Sequence, residues 1–247
     1  MTKSIGKEFM KLTRYQFLEE SEQSKGEPMP TFELTYNSAS LVELPSIESF
    51  QAQEPDLFEV LRSRRSVRRY DENSPLTLEE FSMLLWYTQG IHRSTSNATF
   101  RFVPSAGARH AFETYVLVSR VEGLKPGLYR YVASKHAVIL ENGDGDISQK
   151  VVDACNGQVF VGTSAATFIW TAVAKRMTWR YGERGYRYLH LDAGHVCQNL
   201  YLLAESINAG VCAVAAFDDD KLNKVLSLDG DEHFVVYVGA LGRKLER

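Results

Sequence analysis

The chain reads as an α+β fold: a mostly antiparallel sheet flanked by helices. Helical patterns cluster before residue 90 and again after residue 146. Three short runs between them, 114–119, 127–133 and 137–141, carry the β-branched and aromatic residues of strands, with Gly123 and Pro126 in the first connection. Two later runs, 165–174 (AATFIWTAVA) and 233–241 (HFVVYVGAL), are apolar on both faces and belong in the middle of a sheet.

The elements follow in order. Residues 9–18 predict a short amphipathic helix. Residues 21–30 are polar, with the breaker cluster Lys25-Gly26-Glu27-Pro28 and then Met29-Pro30, and 32–44 alternate loosely in extended character. Residues 1–50 therefore read as an arm lying over the main domain or over a partner subunit, and 51–247 as the globular body. A helix is expected at 55–64, with proline in its first turn. Thr77 and Glu80 form a capping-box pattern that opens a second helix running to Gly90. Residues 91–102 are polar and irregular and read as a loop. Further helices are expected at 146–154, at 188–208 with Gly210 as its stop, and at 221–226.

Composition narrows the function. The chain has 247 residues, 44% hydrophobic and 24% charged, with net charge −3. That profile suits a soluble globular protein with a sizeable core. The acidic total argues against a dedicated nucleic-acid binder. The three cysteines, Cys155, Cys197 and Cys212, are far apart and have no metal-ligand spacing, so no metal site is expected. There is no apolar stretch after the N-terminal lysines and no run long enough to span a membrane, so a cytoplasmic protein without membrane association is expected.

The densest chemistry lies at residues 62–69, where five arginines surround two serines after a helical segment. Such a run is either a solvated basic face or a place where several guanidinium forks turn towards one anion. Pro104-Ser105-Ala106-Gly107 is a tight run of small residues. It can admit a planar ligand close to the backbone, or be a helix-start turn with Ser105 as cap. Trp179-Arg180-Tyr181 precedes the longest helical pattern, whose opening is expected at Leu191-Asp192-Ala193-Gly194-His195. Asp192 would suit the dipole of a first turn, and Gly194 a close helix contact. His195 is either an acid/base or a packed, hydrogen-bonded residue, and with no Ser or Cys nucleophile signature near it hydrolase chemistry is not supported; His110 either lines a pocket or is structural.

These motifs together resemble the FMN-dependent nitroreductase superfamily, and within it the SagB/ThcOx branch of azoline-oxidising dehydrogenases. The resemblance rests on Arg64-Arg65-Ser66-Val67-Arg68, on residues 104–107, on 179–188 leading into 191–195, and on Gly239-Ala240-Leu241-Gly242-Arg243, all in family order. Phe9 to Thr13 with Leu44-Pro45 resembles that branch's N-terminal segment.

The resemblance implies a nitroreductase-like fold and an intertwined homodimer with FMN in the subunit interface. It implies that Arg64, Arg65 and Ser66 hold the phosphate and ribityl oxygens, and that Arg68 approaches the pyrimidine edge of the ring. Pro104, Ser105, Ala106 and Gly107 would line the flavin. Gly242 and Arg243 would supply a second phosphate contact. The family commonly places a glycine N–H opposite flavin N5; here Ala216 stands in that place, with Ala215 as the other choice. In the azoline-oxidising relatives a Lys-Tyr pair is implied in proton removal, and here the pair is Arg180-Tyr181. Arginine does not accept protons readily, so Tyr181 would pass the proton while Arg180 orients it or binds an anionic substrate. The implied activity is a two-electron hydride exchange at flavin N5. Its substrate would be a thiazoline, an oxazoline or a related peptide-derived group, with biosynthetic-cluster partner proteins. The alternatives are NAD(P)H, as a transient donor, reducing a nitro compound or quinone, and a flavin-binding protein without turnover.

Overall fold

A computed structural model describes residues 4–50 and 55–245. Seven antiparallel strands make the main sheet, in the order β1-β6-β5-β4-β7-β9-β8. They are β1 (Leu41–Glu43), β4 (Phe112–Val118), β5 (Gly127–Val132), β6 (Ala137–Asn142), β7 (Ala166–Val173), β8 (Ala209–Val214) and β9 (His233–Arg243). The expected α+β class is therefore what the chain adopts. The two doubly apolar runs became β7 and β9, which pair with each other near the centre of the sheet. Both are covered, because helices lie on the two faces.

One face packs on α3 (Leu78–Gln89) and α7 (Gly185–Glu205), around Phe81, Phe168, Trp170 and Leu200. The other packs on α4 (Ile147–Ala154) and α8 (Asp219–Val225), around Val151, Ile169 and Leu222. The capping box forms as the sequence predicts: Thr77 Oγ1 accepts from Glu80 N at 3.2 Å, and Glu80 Oε2 accepts from Thr77 N at 2.8 Å.

Several elements differ from expectation. Residues 91–102 are not a loop but a two-stranded ribbon, β2 (Ile91–Ser94) with β3 (Thr99–Arg101). Its turn is closed by Thr95 N donating to Ala98 O at 2.8 Å. The polar outward face of β2 hides this strand from pattern reading. The long helix starts earlier than expected, at Gly185, and ends at Glu205. Asp192 thus sits in its second turn, and left-handed Asn208 (φ 51°) follows its end. Gly210 lies inside β8 instead of stopping the helix. Its lack of a Cβ is needed there, since that atom would stand 2.4 Å from Val67 Cγ2. Helices α5 (Val159–Thr163) and α6 (Lys175–Tyr181) carry no signal strong enough to announce them.

The N-terminal residues lie on the body. The helix expected at 9–18 forms earlier, as α1 (Ile5–Leu12), and the rest of that stretch makes only a separate 3-10 turn at Tyr15–Phe17. Residues 41–43 join the sheet edge as β1, against β6. Between these, Trp179 Nε1 donates to Glu27 O at 2.9 Å, and Arg184 Nη1 donates to Thr13 O at 2.8 Å. The segment is therefore strapped over α6 and the start of α7.

Candidate functional site

Two clusters gather the residues that the sequence singles out, and α7 runs between them.

The first is the arginine run. Helix α2 (Leu57–Ser63) is opened by Asp56, whose Oδ1 accepts from Phe58 N at 2.9 Å. Arg64 then leaves helical geometry (φ −50°, ψ 122°), and the chain crosses β8 and β9 in extended form. Val67 N donates to Val211 O at 2.9 Å, and Tyr70 Oη donates to Ala240 O at 2.9 Å. Val67 and Tyr70 turn inward over Gly210 and Gly242, where a Cβ on Gly242 would meet the Tyr70 ring at 2.7 Å. Arg65, Ser66 and Arg68 are exposed and Arg64 is half-buried.

Ser66 Oγ lies 3.0 Å from Tyr201 Oη, and Arg64 lies 5.3 Å over the Tyr201 ring. Tyr201 Oη accepts from Ala213 N at 2.9 Å, so its own proton is free to point at Ser66. Arg65 Nη1 donates to Arg62 O at 2.7 Å, which folds that side chain back on α2. Arg68 lies 6.0 Å over the Phe160 ring. Beside it, burial raises the Cys212 thiol, and the Arg68 charge partly offsets this. Among the described residues none of Arg62, Arg64, Arg65, Arg68 or Arg69 pairs with a carboxylate.

Arg243 does not join this group. It donates through Nη2 to Glu80 at 2.8 and 2.6 Å, through Nη1 to Ile207 O, and through Nε to Pro75 O at 3.4 Å. All three of its nitrogens serve the scaffold. In this structure its guanidinium is turned to the scaffold, and Gly242 serves the packing of Tyr70. Ala215 and Ala216 follow β8 and are exposed. Ala216 O accepts from Asn156 Nδ2 at 3.0 Å and Gln158 Nε2 at 2.9 Å, which fixes that peptide.

The second cluster is the loop after β3. Gly107 (φ 56°), Ala108 (φ 53°) and His110 (φ 43°) all take left-handed backbone, two of them without being glycine. Such residues persist only where neighbours over-determine them. The Asp192 carboxylate, 4% exposed, accepts from Ala106 N at 3.2 and 3.3 Å. Burial raises the Asp192 carboxyl, while the Ser105 hydroxyl and the Ala106 N–H pull it back down. Ser105 does not cap a helix; its Oγ accepts from His110 N at 2.9 Å.

Against this loop stand Arg180 and Tyr181, at the end of α6. A Cβ on Gly107 would meet Tyr181 Oη at 2.4 Å and Arg180 Nε at 3.0 Å. Left-handed Gly182 (φ 52°) ends α6 there. The Tyr181 ring meets Tyr188 edge-on at 4.8 Å, and Arg180 lies 5.6 Å over Tyr181. Pro104 is exposed beside them, whereas Gly194 and His195 face away, with open space where a Gly194 Cβ would be.

Burial first, then the charges on Arg101 and Arg109, push His110 down to about 3. An unfolded histidine takes its proton near pH 6.5. This group therefore contributes nothing adverse above pH 6.5 and destabilises the fold as pH falls below it towards 3. The slope is up to about 1.4 kcal/mol per pH unit. His110→Asn, which tolerates the same backbone, should unfold in urea with a shallower loss of stability between pH 6.5 and 4.5 than the parent chain. Parallel losses would show that His110 is charged in the fold.

Tyr201, Asp192 and Arg109 belong to these clusters without having been singled out for them. Tyr201 and Asp192 stand on a helix with no marker of their role, and Arg109 reaches its place only because the loop folds back on itself. The clusters do not meet within one chain. Their anchors on α7, Asp192 and Tyr201, are nine positions apart, about 14 Å along the axis and about half a turn around it. They therefore face opposite sides of the helix. No helix among the described residues is long and apolar enough to cross a membrane.

Comparison with known proteins completes the description. The model of the Nitroreductase family matches residues 61–243. A Methanocaldococcus jannaschii protein that carries the name nitroreductase is 36% identical over 205 residues, covering 83% of this chain and 97% of that one. The trifolitoxin-processing protein TfxB of Rhizobium leguminosarum bv. trifolii is 27% identical over 215 residues, covering 80% of this chain and 55% of its own length. A crystal structure from Anabaena variabilis, also named as a nitroreductase, superposes with a TM-score of 0.63 at 33% identity, covering 77% of this chain and 38% of that one.

Proposed function

Since the chain belongs to the nitroreductase family, a family of oxidoreductases, we propose that it binds FMN between two copies of itself and uses it for two-electron transfer. Two features fit such a cofactor. Among the described residues the arginine run pairs with no carboxylate, and it is interleaved with hydroxyls, the donor set that suits a phosphate and a polyol. At Gly107 the backbone is bare, and Tyr181 Oη and Arg180 Nε close directly on it, which sets both side chains at the loop that would flank a planar ring.

The observation that carries the reading is the placement of these two sets on opposite sides of α7. One chain cannot turn both to one ligand, so the reading takes the arginine run from one protomer and the Gly107 loop from its partner. When bound, the flavin supplies hydride exchange at its N5. Arg64, Ser66 and the Ser66-linked Tyr201 would hold the phosphate and ribityl oxygens. Arg68 would place a cation by the pyrimidine edge, and Ala215 or Ala216 would offer a backbone N–H. Pro104, Ser105, Ala106 and Gly107 would flank the ring. Tyr181 would pass a proton through its hydroxyl. Arg180 would stay charged throughout, since guanidinium is not deprotonated in proteins.

The lack of a proton-accepting side chain at position 180 favours the reductive direction, with NAD(P)H as donor and a small-molecule acceptor. The similarity to a trifolitoxin-processing protein favours a second reading, dehydrogenation of an azoline in a peptide, with cluster partners and with Tyr181 as the sole proton carrier.

The visible spectrum and the released chromophore of the purified protein test the core of this. We expect two flavin bands and about one FMN per chain. Arg64→Ala and Arg68→Ala should each weaken FMN binding by about 10- to 100-fold, the size of one lost charge-assisted hydrogen bond. A colourless protein that also refuses added FMN would sink the proposal. Anaerobic bleaching by NAD(P)H then separates the two directions.

A further inference from the structure

Among the described residues two guanidiniums at Gly107 have no counter-charge, and nothing in the flavin assignment uses them both. Arg109 is 6% exposed. Its Nε donates to Gly107 O at 3.1 Å and its Nη2 to Asn97 O at 2.8 Å, while its face lies 5.5 Å over Trp179. These partners are all neutral. Arg180 reaches the same glycine from α6, with its Nε 3.0 Å from the position of a Gly107 Cβ. Burial lowers Arg109, and the Arg180 charge lowers it further.

Among the described residues neither arginine pairs with a carboxylate. Asp192 also touches this loop, but its carboxylate is spent on Ala106 N–H and the Ser105 hydroxyl. A pair of like charges at one backbone turn is unfavourable, and neutral partners do not offset it. Arg180, being exposed, could swing into solvent, whereas Arg109 is pinned. The arrangement is the one that an anionic ligand completes, since a carboxylate accepts from guanidinium forks in a fixed plane.

The geometry points to a substrate bearing a carboxylate, held between Arg109 and Arg180 beside the Tyr181 hydroxyl. This inference rests on the flavin-site reading above and deepens it by giving the substrate class. The cofactor's own phosphate does not compete for this place, because the run around Arg64 and Arg68, which pairs with no carboxylate among the described residues, is assigned to it.

The test is calorimetric titration of the flavin-loaded protein with benzoate and with benzamide, its neutral counterpart of the same shape. Benzoate should bind at least about tenfold more tightly, the size of one charge-assisted contact. Sodium chloride should weaken benzoate and leave benzamide unchanged. Arg180→Met should abolish the preference and Arg180→Lys should keep part of it. Arg180 is exposed, so these variants keep the fold; Arg109→Lys, which retains the charge but not the fork, should fall between them. Equal affinities, no binding of benzoate, or a preference that survives Arg180→Met overturns the inference while leaving the flavin reading intact. Protein that cannot be loaded with flavin overturns both.

Discussion

Gly107→Ala should cost about 1–3 kcal/mol of stability and most of the activity. Two effects add. The residue sits at φ 56°, where a side chain is strained. The new Cβ would also stand 2.4 Å from Tyr181 Oη and 3.0 Å from Arg180 Nε, so the loop and the end of α6 must part. Both proposed catalytic side chains would then move away from the ring-flanking backbone, and a displacement of about 1 Å is enough to cost a hundredfold in rate. A double-mutant cycle isolates the contact. In a Tyr181→Phe background the hydroxyl is gone, so Gly107→Ala should cost about 1 kcal/mol less than in the parent chain. Urea unfolding of the four proteins gives that difference. Strictly additive costs would mean that Tyr181 does not stand against Gly107.

Glu113→Ala should destabilise the protein by about 3–5 kcal/mol, the cost of leaving buried charge without its partner. Glu113 is 3% exposed on β4. Its Oε1 takes Arg176 Nη2 at 2.6 Å and the N–H of Leu34 at 2.8 Å, and its Oε2 lies 3.7 Å from Arg130 Nη1. Arg176 and Arg130 also donate to Thr31 O at 2.8 Å and Thr35 O at 3.0 Å. One carboxylate thus ties α6, β5 and the N-terminal strap together. Its removal should loosen the strap before the whole fold, so limited proteolysis near residues 31–35 should accelerate. Glu113→Gln, which keeps an acceptor, should lose less. Arg130 keeps Glu141 at 2.6 Å, so a loss below about 1 kcal/mol for the alanine variant, with no change in proteolysis, would show that Arg176 finds another partner.

Local signals explain why so much of the architecture was legible in advance. The capping box at Thr77 and Glu80, and the doubly apolar β7 and β9, are short-range or periodic, and each was visible without knowing what it touched. Where the pattern reading missed, the deciding contacts lie far apart in sequence. The ribbon at β2 and β3 shows a polar face to solvent, so periodicity had nothing to register. Gly210 looked like a helix stop, but its small size answers to Val67, brought over β8 by the extended run after α2.

The same division holds for the site. Residue types and their order were enough to pick out the arginine run, the small-residue loop and the Arg180-Tyr181 pair, because chemistry of that kind is written locally. Which of them meet was not. Arg243, an exposed tail charge by its neighbours in sequence, is bound to Glu80, 163 positions away. Asp192 looked like a helix-dipole residue and instead clamps a strained loop 86 positions earlier. The face of α7 on which each anchor falls depends on where that helix begins, and this is settled by packing over the whole chain. Side-chain chemistry is a property of the residue, whereas its partners, burial and orientation are properties of the folded core.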